Sequence, residues 1–343
     1  METTHRVLAG DARSLSVTDE TVDLVVTSPP YPMIELWDDA FAAMDATVAD
    51  ALAAGDGDRA FEAMHTQLDR AWDELARVVA EGGIVCIVVG DATRSVDGDF
   101  RQYHNHARIT TAMADRGFTP LPEILWRKPT NSAAKFMGSG MVPPNAYVTL
   151  EHEHVLVFRN GDRPRSIEAD ADRRYEAAYF WEERNRWFSD LWTDVRGVDQ
   201  TLDDRKSRER SAAFPLAIPY RLIAMFSVYG DTVLDPFLGT GTTTLAAMAG
   251  ARDSIGVDRR IDLLETLDDR LTAIPERSRQ IARRRLADHR DSLDEGDGNY
   301  QAEQYDLSVR SKQTRRIALR AVETVESIPA GYRTQHTIVD DPR

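Results

Sequence analysis

Two short stretches hold residue types whose spacing could do chemistry. The first is "TSPPY", Thr27 to Tyr31, at the end of the apolar run that starts at Val22. A strand that runs into two prolines cannot pair further, because proline has no N–H to donate, so carbonyl oxygens and the Ser28 hydroxyl are left facing whatever lies beyond the sheet. The second is "GDTVLDPFLGTGTTTLAAMAGARDSIGVDRR", Gly230 to Arg260, which reads as strand, acidic residue, glycine turn, helix, strand, acidic residue. Gly239 and Gly241 permit a sharp turn and close approach of the backbone to a ligand. Thr244 stands where a dinucleotide fingerprint needs a third glycine, and no Gly-Lys-Ser/Thr follows, so phosphate binding is the weaker reading. Asp258, at the next strand end, stands where α/β nucleotide sites place a carboxylate on ribose hydroxyls, which suits an adenosine ligand without phosphates.

The elements that must position these stretches follow an α/β rhythm. Strands are predicted at Arg6 to Ala9, Val22 to Thr27, Gly83 to Val89, Leu121 to Trp126, His154 to Phe158, Thr232 to Asp235 and Ser254 to Val257. Helices are predicted at Ala60 to Val79, Asn105 to Arg116, Pro219 to Val228, Thr242 to Gly250 and Leu263 to Arg270. The fold class expected is α/β, a doubly wound, mostly parallel, seven-stranded Rossmann-like sheet with the ligand across the switch point. Two irregular inserts break the alternation, Met33 to Gly57 and Gly161 to Ala212, and long inserts usually carry function. After Arg290 the chain turns acidic and is expected to end in a short helical pattern, as a peripheral appendage.

Composition narrows the class. The longest apolar run, Ile84 to Val89, is too short to span a bilayer, and the N-terminus shows no secretory signal, so a cytoplasmic protein without membrane contact is expected. The single cysteine, Cys86, forbids an intrachain disulfide. A formal charge of −15 is unlike that of a typical nucleic-acid binder. Nearly all the positive charge is arginine, however, and a large acidic excess with few lysines suits concentrated salt, which screens self-repulsion. A halophilic host is expected. The stretch Arg159 to Arg210 is close to balanced and interleaves arginine with Trp181, Trp187, Phe188 and Trp192, a mixture that can grip phosphates and stack on bases or simply form a solvated face over buried tryptophans.

Taken together, "DPFLGTGTT" resembles the S-adenosylmethionine loop of the DNA amino-methyltransferases and "TSPPY" resembles their catalytic loop. The catalytic motif comes first, which is similar to the β-group ordering. "LAGDA", "EGGIVCIVVGD", "EHEHVLVFRNG" and "AAFPLAIPYRLI" agree, so the likeness covers roughly residues 5 to 275. It implies a site-specific methyltransferase acting on double-stranded DNA. Residues 1–160 would form the catalytic half, 161–212 the target-recognition region, 213–290 the cofactor-binding half and 291–343 the acidic C-terminal appendage. Asp235, Phe237, Gly239, Thr240 and Gly241 would hold the methionine part and ribose of S-adenosylmethionine, with Asp258 on the ribose, Asp11 at the adenine and Phe214 with Pro215 closing the pocket.

An exocyclic amine on a base is a poor nucleophile because its lone pair is delocalised into the ring. If Ser28 Oγ and the Pro29 carbonyl each accept one of its N–H bonds, the nitrogen is drawn toward a tetrahedral form that can attack. Pro29 and Pro30 keep that carbonyl rigid, and Tyr31 would stack on the base. The base must first be flipped out of the duplex. Lys128 and Asn131, with Arg184 and Arg186, are candidate DNA contacts. Ser28 in place of aspartate resembles the cytosine-N4 members, and "WRKPTNSAAKFMGSGMVPPNAYVTLEHEHVLVF" with "YFWEERNRWFSDLW" resembles archaeal cytosine-N4 enzymes that modify CTAG. Adenine-N6 is the alternative acceptor, and a non-catalytic DNA-binding subunit that keeps the fold is the alternative of another class, with an RNA substrate a third. A homodimer and a cognate restriction endonuclease are the expected partners. Cytosine-C5 chemistry is excluded, since it needs a cysteine nucleophile and Cys86 lies inside an apolar strand. No metal is expected: His104, His106, His152 and His154 show no supporting carboxylate spacing.

Overall fold

Alternation along the central strands sends neighbouring side chains to opposite faces, and here both faces are apolar. In the computed structural model, which describes residues 1–128, 142–144, 146–195, 214–260, 267–268, 270–293 and 298–340, Val25, Val85 and Ile87 pack into one core with Trp72 and Leu75. Leu24, Val26, Cys86 and Val88 point the other way, into a second core with Leu222, Leu245 and Met248. Such strands need a helical layer on each side, and the chain supplies both.

The elements in chain order are β1 (Glu2–Ala9), β2 (Val22–Thr27), α1 (Asp38–Ala42), α2 (Ala46–Ala53), α3 (Gly57–Val78), β3 (Val79–Val89), the hairpin β4 (Ala92–Val96) and β5 (Asp99–Tyr103), α4 (Asn105–Ala114), β6 (Phe118–Arg127) and β7 (His152–Asn160). There follow α5 (Asp172–Glu176), α6 (Trp181–Trp187), β8 (Leu191–Trp192), α7 (Ala217–Phe226), β9 (Thr232–Asp235), α8 (Thr242–Ala249), β10 (Asp253–Asp258), α9 (Ile274–Asp291), the pair β11 (Tyr300–Gln301) and β12 (Ser308–Val309), and β13 (Arg320–Ile328) with β14 (Gly331–Ile338). One ten-stranded sheet runs β13-β14-β1-β10-β9-β2-β3-β7-β6-β8. All seven expected strands lie in it, and β1, β10, β9, β2 and β3 are mutually parallel. The three added strands are β8 and the C-terminal hairpin.

That hairpin corrects the helical pattern expected for the tail. β14 pairs antiparallel with β1, and β13 with β14, across a turn in which Ala330 has φ 60°. The β-branched residues Val322, Thr324, Val325, Thr334 and Thr337 flanking Pro-Ala-Gly favour strands and a turn, a signal the polar helical reading passed over. A buried polar network joins the hairpin to the sheet: Thr3 Oγ1 lies 2.6 Å from Thr334 Oγ1 and 2.8 Å from His336 Nε2, and His5 Nε2 lies 3.1 Å from Thr334 Oγ1. Burial pushes His5 down to about 3 and His336 to about 4, so both rings are neutral.

Two further expectations change. The insert at Met33 to Gly57 is not irregular, since it folds into α1 and α2 against α3. The predicted helix at Leu263 to Arg270 falls largely outside the described residues. Among the described residues no helix is long and apolar enough to cross a membrane.

Candidate active site

Adjacent parallel strands release their loops at one edge, which is where open α/β sheets bind ligands. Strand β2 pairs with β9 through Leu24 opposite Val233 and Val25 opposite Leu234, so Ser28-Pro29-Pro30 and the glycine turn emerge side by side from segments two hundred residues apart. Thr27 Oγ1 donates to Asp235 Oδ1 at 2.7 Å and locks the two strand ends together. Next in order, β10 delivers Asp258 and β1 delivers Asp11.

These residues share one cavity of about 450 Å³. In the order of the strands that deliver them, Ser28, Pro29 and Pro30 line it after β2, Phe237, Gly239 and Thr240 after β9, and Asp258 and Asp11 at the ends of β10 and β1. Asp235 and Phe214 also line it. Pro215 does not line the cavity, nor does Gly241, which turns the chain into α8 with φ 77°. Tyr31 is absent from the lining as well: its ring is buried and its hydroxyl lies 3.0 Å from Ser28 Oγ.

Each group is held by a named neighbour. Asp258 accepts from Gly239 N at 2.8 Å and Arg260 N at 2.9 Å, tying the glycine turn to the next strand. Asp11 is gripped by Arg13, whose guanidinium holds the carboxyl below the usual aspartate range, and Arg13 donates on to Gln67 Oε1 at 2.8 Å. Arg270 donates to the Thr240 carbonyl at 2.8 Å, bracing the turn from below. Burial raises Asp235 to about 6, against hydrogen bonds from Thr27, Thr243 and Phe237 N that favour the carboxylate.

The Asp235 shift has a stability consequence. A carboxyl whose folded pKa lies above its unfolded value of 3.8 binds more protons folded than unfolded, so its contribution falls as pH rises from about 4 to about 6. Asp235→Asn keeps an acceptor for Thr27 and Phe237 without the charge. Its unfolding free energy relative to wild type should therefore rise across that window, by up to about 3 kcal/mol, read by urea unfolding at pH 4, 5, 6 and 7. A difference that does not change with pH would contradict the burial argument.

Sequence reading missed much of the cavity. Trp37, Ala40 and Met44 from the first insert, with Leu68 and Ala71 from α3, give the cavity much of its apolar lining. The cluster of apolar residues in an insert otherwise rich in aspartate was the available signal. Asn105 was missed too: buried, it donates from Nδ2 to the Pro32 carbonyl at 3.1 Å and the Gly90 carbonyl at 3.0 Å, fixing the exit of the proline loop. Glu153 accepts from the Tyr31 hydroxyl at 3.2 Å and from Lys128 Nζ at 2.7 Å, so Lys128 reaches the proline loop through this carboxylate.

The other DNA-contact candidates fall elsewhere. Asn131 lies outside the described residues. Arg184 lies over the Phe188 ring, and Arg186 stands 3.9 Å from Asp194 and from Asp288. No described residue between 161 and 195 lines the cavity. In that stretch Trp187 and Trp192 are buried, and Glu183 pairs with Arg285 of α9 at 2.6 Å, so part of the arginine and aromatic pattern builds internal packing. The histidine reading also needs correction, because Asp91 supplies a carboxylate the spacing did not show. It accepts from His106 Nδ1 at 2.8 Å and Gln102 Nε2 at 2.8 Å, while the His106 ring stacks on His154 at 4.0 Å. Cys86 is wholly buried and burial pushes its thiol far up, away from thiolate chemistry.

With this geometry in place, comparison with known proteins is informative. Residues 22–268 match the N6/N4 family of DNA methylases. The chain is 45% identical over 332 residues to the type II methyltransferase M.MthZI of Methanothermobacter thermautotrophicus, covering 96% of this chain and 93% of that one. It is 44% identical over 281 residues to the type II methyltransferase M.MjaI of Methanocaldococcus jannaschii, covering 78% and 91%. Among solved structures, a candidate DNA modification methylase of Thermus thermophilus, in complex with S-adenosyl-L-methionine, is similar with a TM-score of 0.61 at 30% identity, covering 78% of this chain and 93% of that one.

Proposed function

Because this chain belongs to the N6/N4 DNA methylase family, we propose that it methylates the exocyclic N4 of a cytosine flipped out of duplex DNA, using S-adenosylmethionine. The observation that carries this reading is the shared cavity, in which an acceptor loop and a glycine cradle face the same space. Its volume of about 450 Å³ lies in the range of small-molecule sites, and Asp258 and Asp11 in its lining offer acceptors for hydroxyl and amino donors. The cofactor supplies a methyl group on a sulfonium. Gly239 would let the backbone reach its methionine part, Asp258 would accept from its ribose hydroxyls, Asp11 would meet its adenine amine, and Phe214 would close the pocket.

Ser28 Oγ and the Pro29 carbonyl accept the two amine N–H bonds and so localise the nitrogen lone pair toward the methyl group. Pro30 keeps that carbonyl fixed, and Tyr31, buried behind the loop, touches Ser28 through its hydroxyl and not the base. Holding both reactants in one cavity makes the displacement effectively unimolecular. Serine at position 28 favours cytosine over adenine, and the likeness of residues 126–158 and 179–192 to archaeal enzymes of that specificity supports CTAG as the site. A cytoplasmic homodimer acting beside a cognate restriction endonuclease completes the proposal.

Incubating the chain with a CTAG duplex and labelled cofactor, then digesting to nucleosides for mass spectrometry, should yield N4-methylcytosine. N6-methyladenine alone would refute the acceptor, and no methylated nucleoside on any DNA would refute the enzyme reading. The salt-adapted character makes a separate prediction. With a formal charge of −15, Tm should rise by about 5 °C or more from dilute buffer to molar potassium chloride; a protein most stable in dilute buffer would end that idea.

A further inference from the structure

We infer that Glu153 is a positioning residue for the proposed transfer: acting through the Tyr31 hydroxyl, it turns the Ser28 hydroxyl so that lone pairs, and not the proton, meet the substrate amine. The inference rests on the methyltransferase reading above and deepens it.

The sheet places Glu153 where it can do this. β7 runs antiparallel between β3 and β6, so its first residues lie at the edge where the parallel strands end, with His154 opposite Val89 and Glu153 opposite Trp126. His154 faces His106, and the alternation of a strand sends Glu153 to the other face, toward Tyr31. Gly90 leaves the room: a Cβ there would stand 3.2 Å from the Tyr31 ring and 3.5 Å from Glu153 Cγ.

The direction of the hydrogen bonds follows from counting donors. A carboxylate facing an ammonium only accepts, and Lys128 Nζ occupies Oε1 at 2.7 Å. Oε2 therefore accepts the Tyr31 proton at 3.2 Å. The tyrosine has one proton, so across the 3.0 Å contact Ser28 must be the donor and Tyr31 the acceptor. The Ser28 proton is thereby drawn away from the cavity, leaving both Oγ lone pairs for the amine. Burial first, and the Glu153 charge second, keep the tyrosine protonated by raising it well above its ordinary value. Reversing the chain would put a hydroxyl proton against an amine proton.

Glu153→Gln tests this with little change of shape. The Lys128 ammonium draws the amide oxygen and leaves the NH2 facing Tyr31, which reverses the chain. The expected result is a kcat about 10- to 100-fold lower, with KM for a CTAG duplex and the Kd for S-adenosylmethionine within about threefold. Lys128→Met in the same chain removes that bias and frees the amide oxygen to turn toward Tyr31, so the double variant should recover kcat at least about threefold over Glu153→Gln. A purely structural role predicts the opposite, a further fall. A folded Glu153→Gln with wild-type kcat, or a double variant no better than the single, overturns the inference while wild-type methylation leaves the function reading standing. A wild-type chain that methylates no DNA removes both. Should Glu153→Gln not fold, Tyr31→Phe carries the test: it severs the chain with the ring retained, the same loss of kcat is expected, and wild-type kcat would overturn the inference.

Discussion

Gly239→Asp raises the Kd for S-adenosylmethionine by about 100-fold or more. Gly239 has φ 53°, in the left-handed region where a side chain costs about 1–2 kcal/mol. Space alone is not the obstacle, since a Cβ there would meet only the Phe237 carbonyl, at 3.9 Å. The carboxylate is, because it would fill the cradle and stand beside Asp258, which already accepts the Gly239 N–H at 2.8 Å. Two like charges at such range cost about 1–4 kcal/mol near a protein surface. Gly239→Ala separates the causes: it carries the backbone cost without the charge and should lose about tenfold or less in affinity. Calorimetric titration of both variants, with circular dichroism as the folding control, measures the difference. Equal affinity for Gly239→Asp and wild type would place the cofactor elsewhere.

Ser28→Ala lowers kcat about 10²- to 10³-fold and leaves the cofactor Kd unchanged. Removing one preorganised partner of a developing charge typically has that effect. Ser28 follows β2, and β9 separates that strand from β10 and β1, which deliver Asp258 and Asp11, so its loss should not disturb the adenosine half. The Tyr31 hydroxyl keeps Glu153 as a partner in the variant, so no buried donor is stranded. Single-turnover methylation with saturating cofactor reads the chemical step directly. A rate within about threefold of wild type would show that the Pro29 carbonyl alone activates the amine.

The parts of the fold legible in the sequence were those specified locally. A buried parallel strand is a short apolar run, and Val22 to Thr27, Gly83 to Val89 and Thr232 to Asp235 could be read as such because water is excluded from both their faces. The proline loop and glycine turn were legible because Pro29, Pro30, Gly239 and Gly241 constrain the backbone themselves. Pairing partners far away in sequence were not legible. Glu153 looked like one more acid in "EHEHVLVF" until β7 was placed between β3 and β6. Asp91 was remote in sequence from the histidines it meets. Trp187 and Trp192 could be read either as base-stacking groups or as buried under a solvated face, because the packing partners that decide it, such as Arg285 of α9 over the Trp187 ring, are distant in sequence. The C-terminal hairpin was missed because its strands are polar on one face and its second strand pairs with the first strand of the chain, more than three hundred residues away.

That last pairing sets Met1 beside the last strand, with the Met1 amino group donating to the His336 carbonyl at 3.1 Å. A linker from the end of β14 to the start of β1 would join the two strands, and new ends opened between Trp192 and Phe214 would leave each paired strand of the main sheet wholly on one side of that interval. The resulting circular permutant would read the glycine turn before the proline loop while keeping every ladder intact. Motif order would then be a matter of where the gene starts, and not a demand of the architecture.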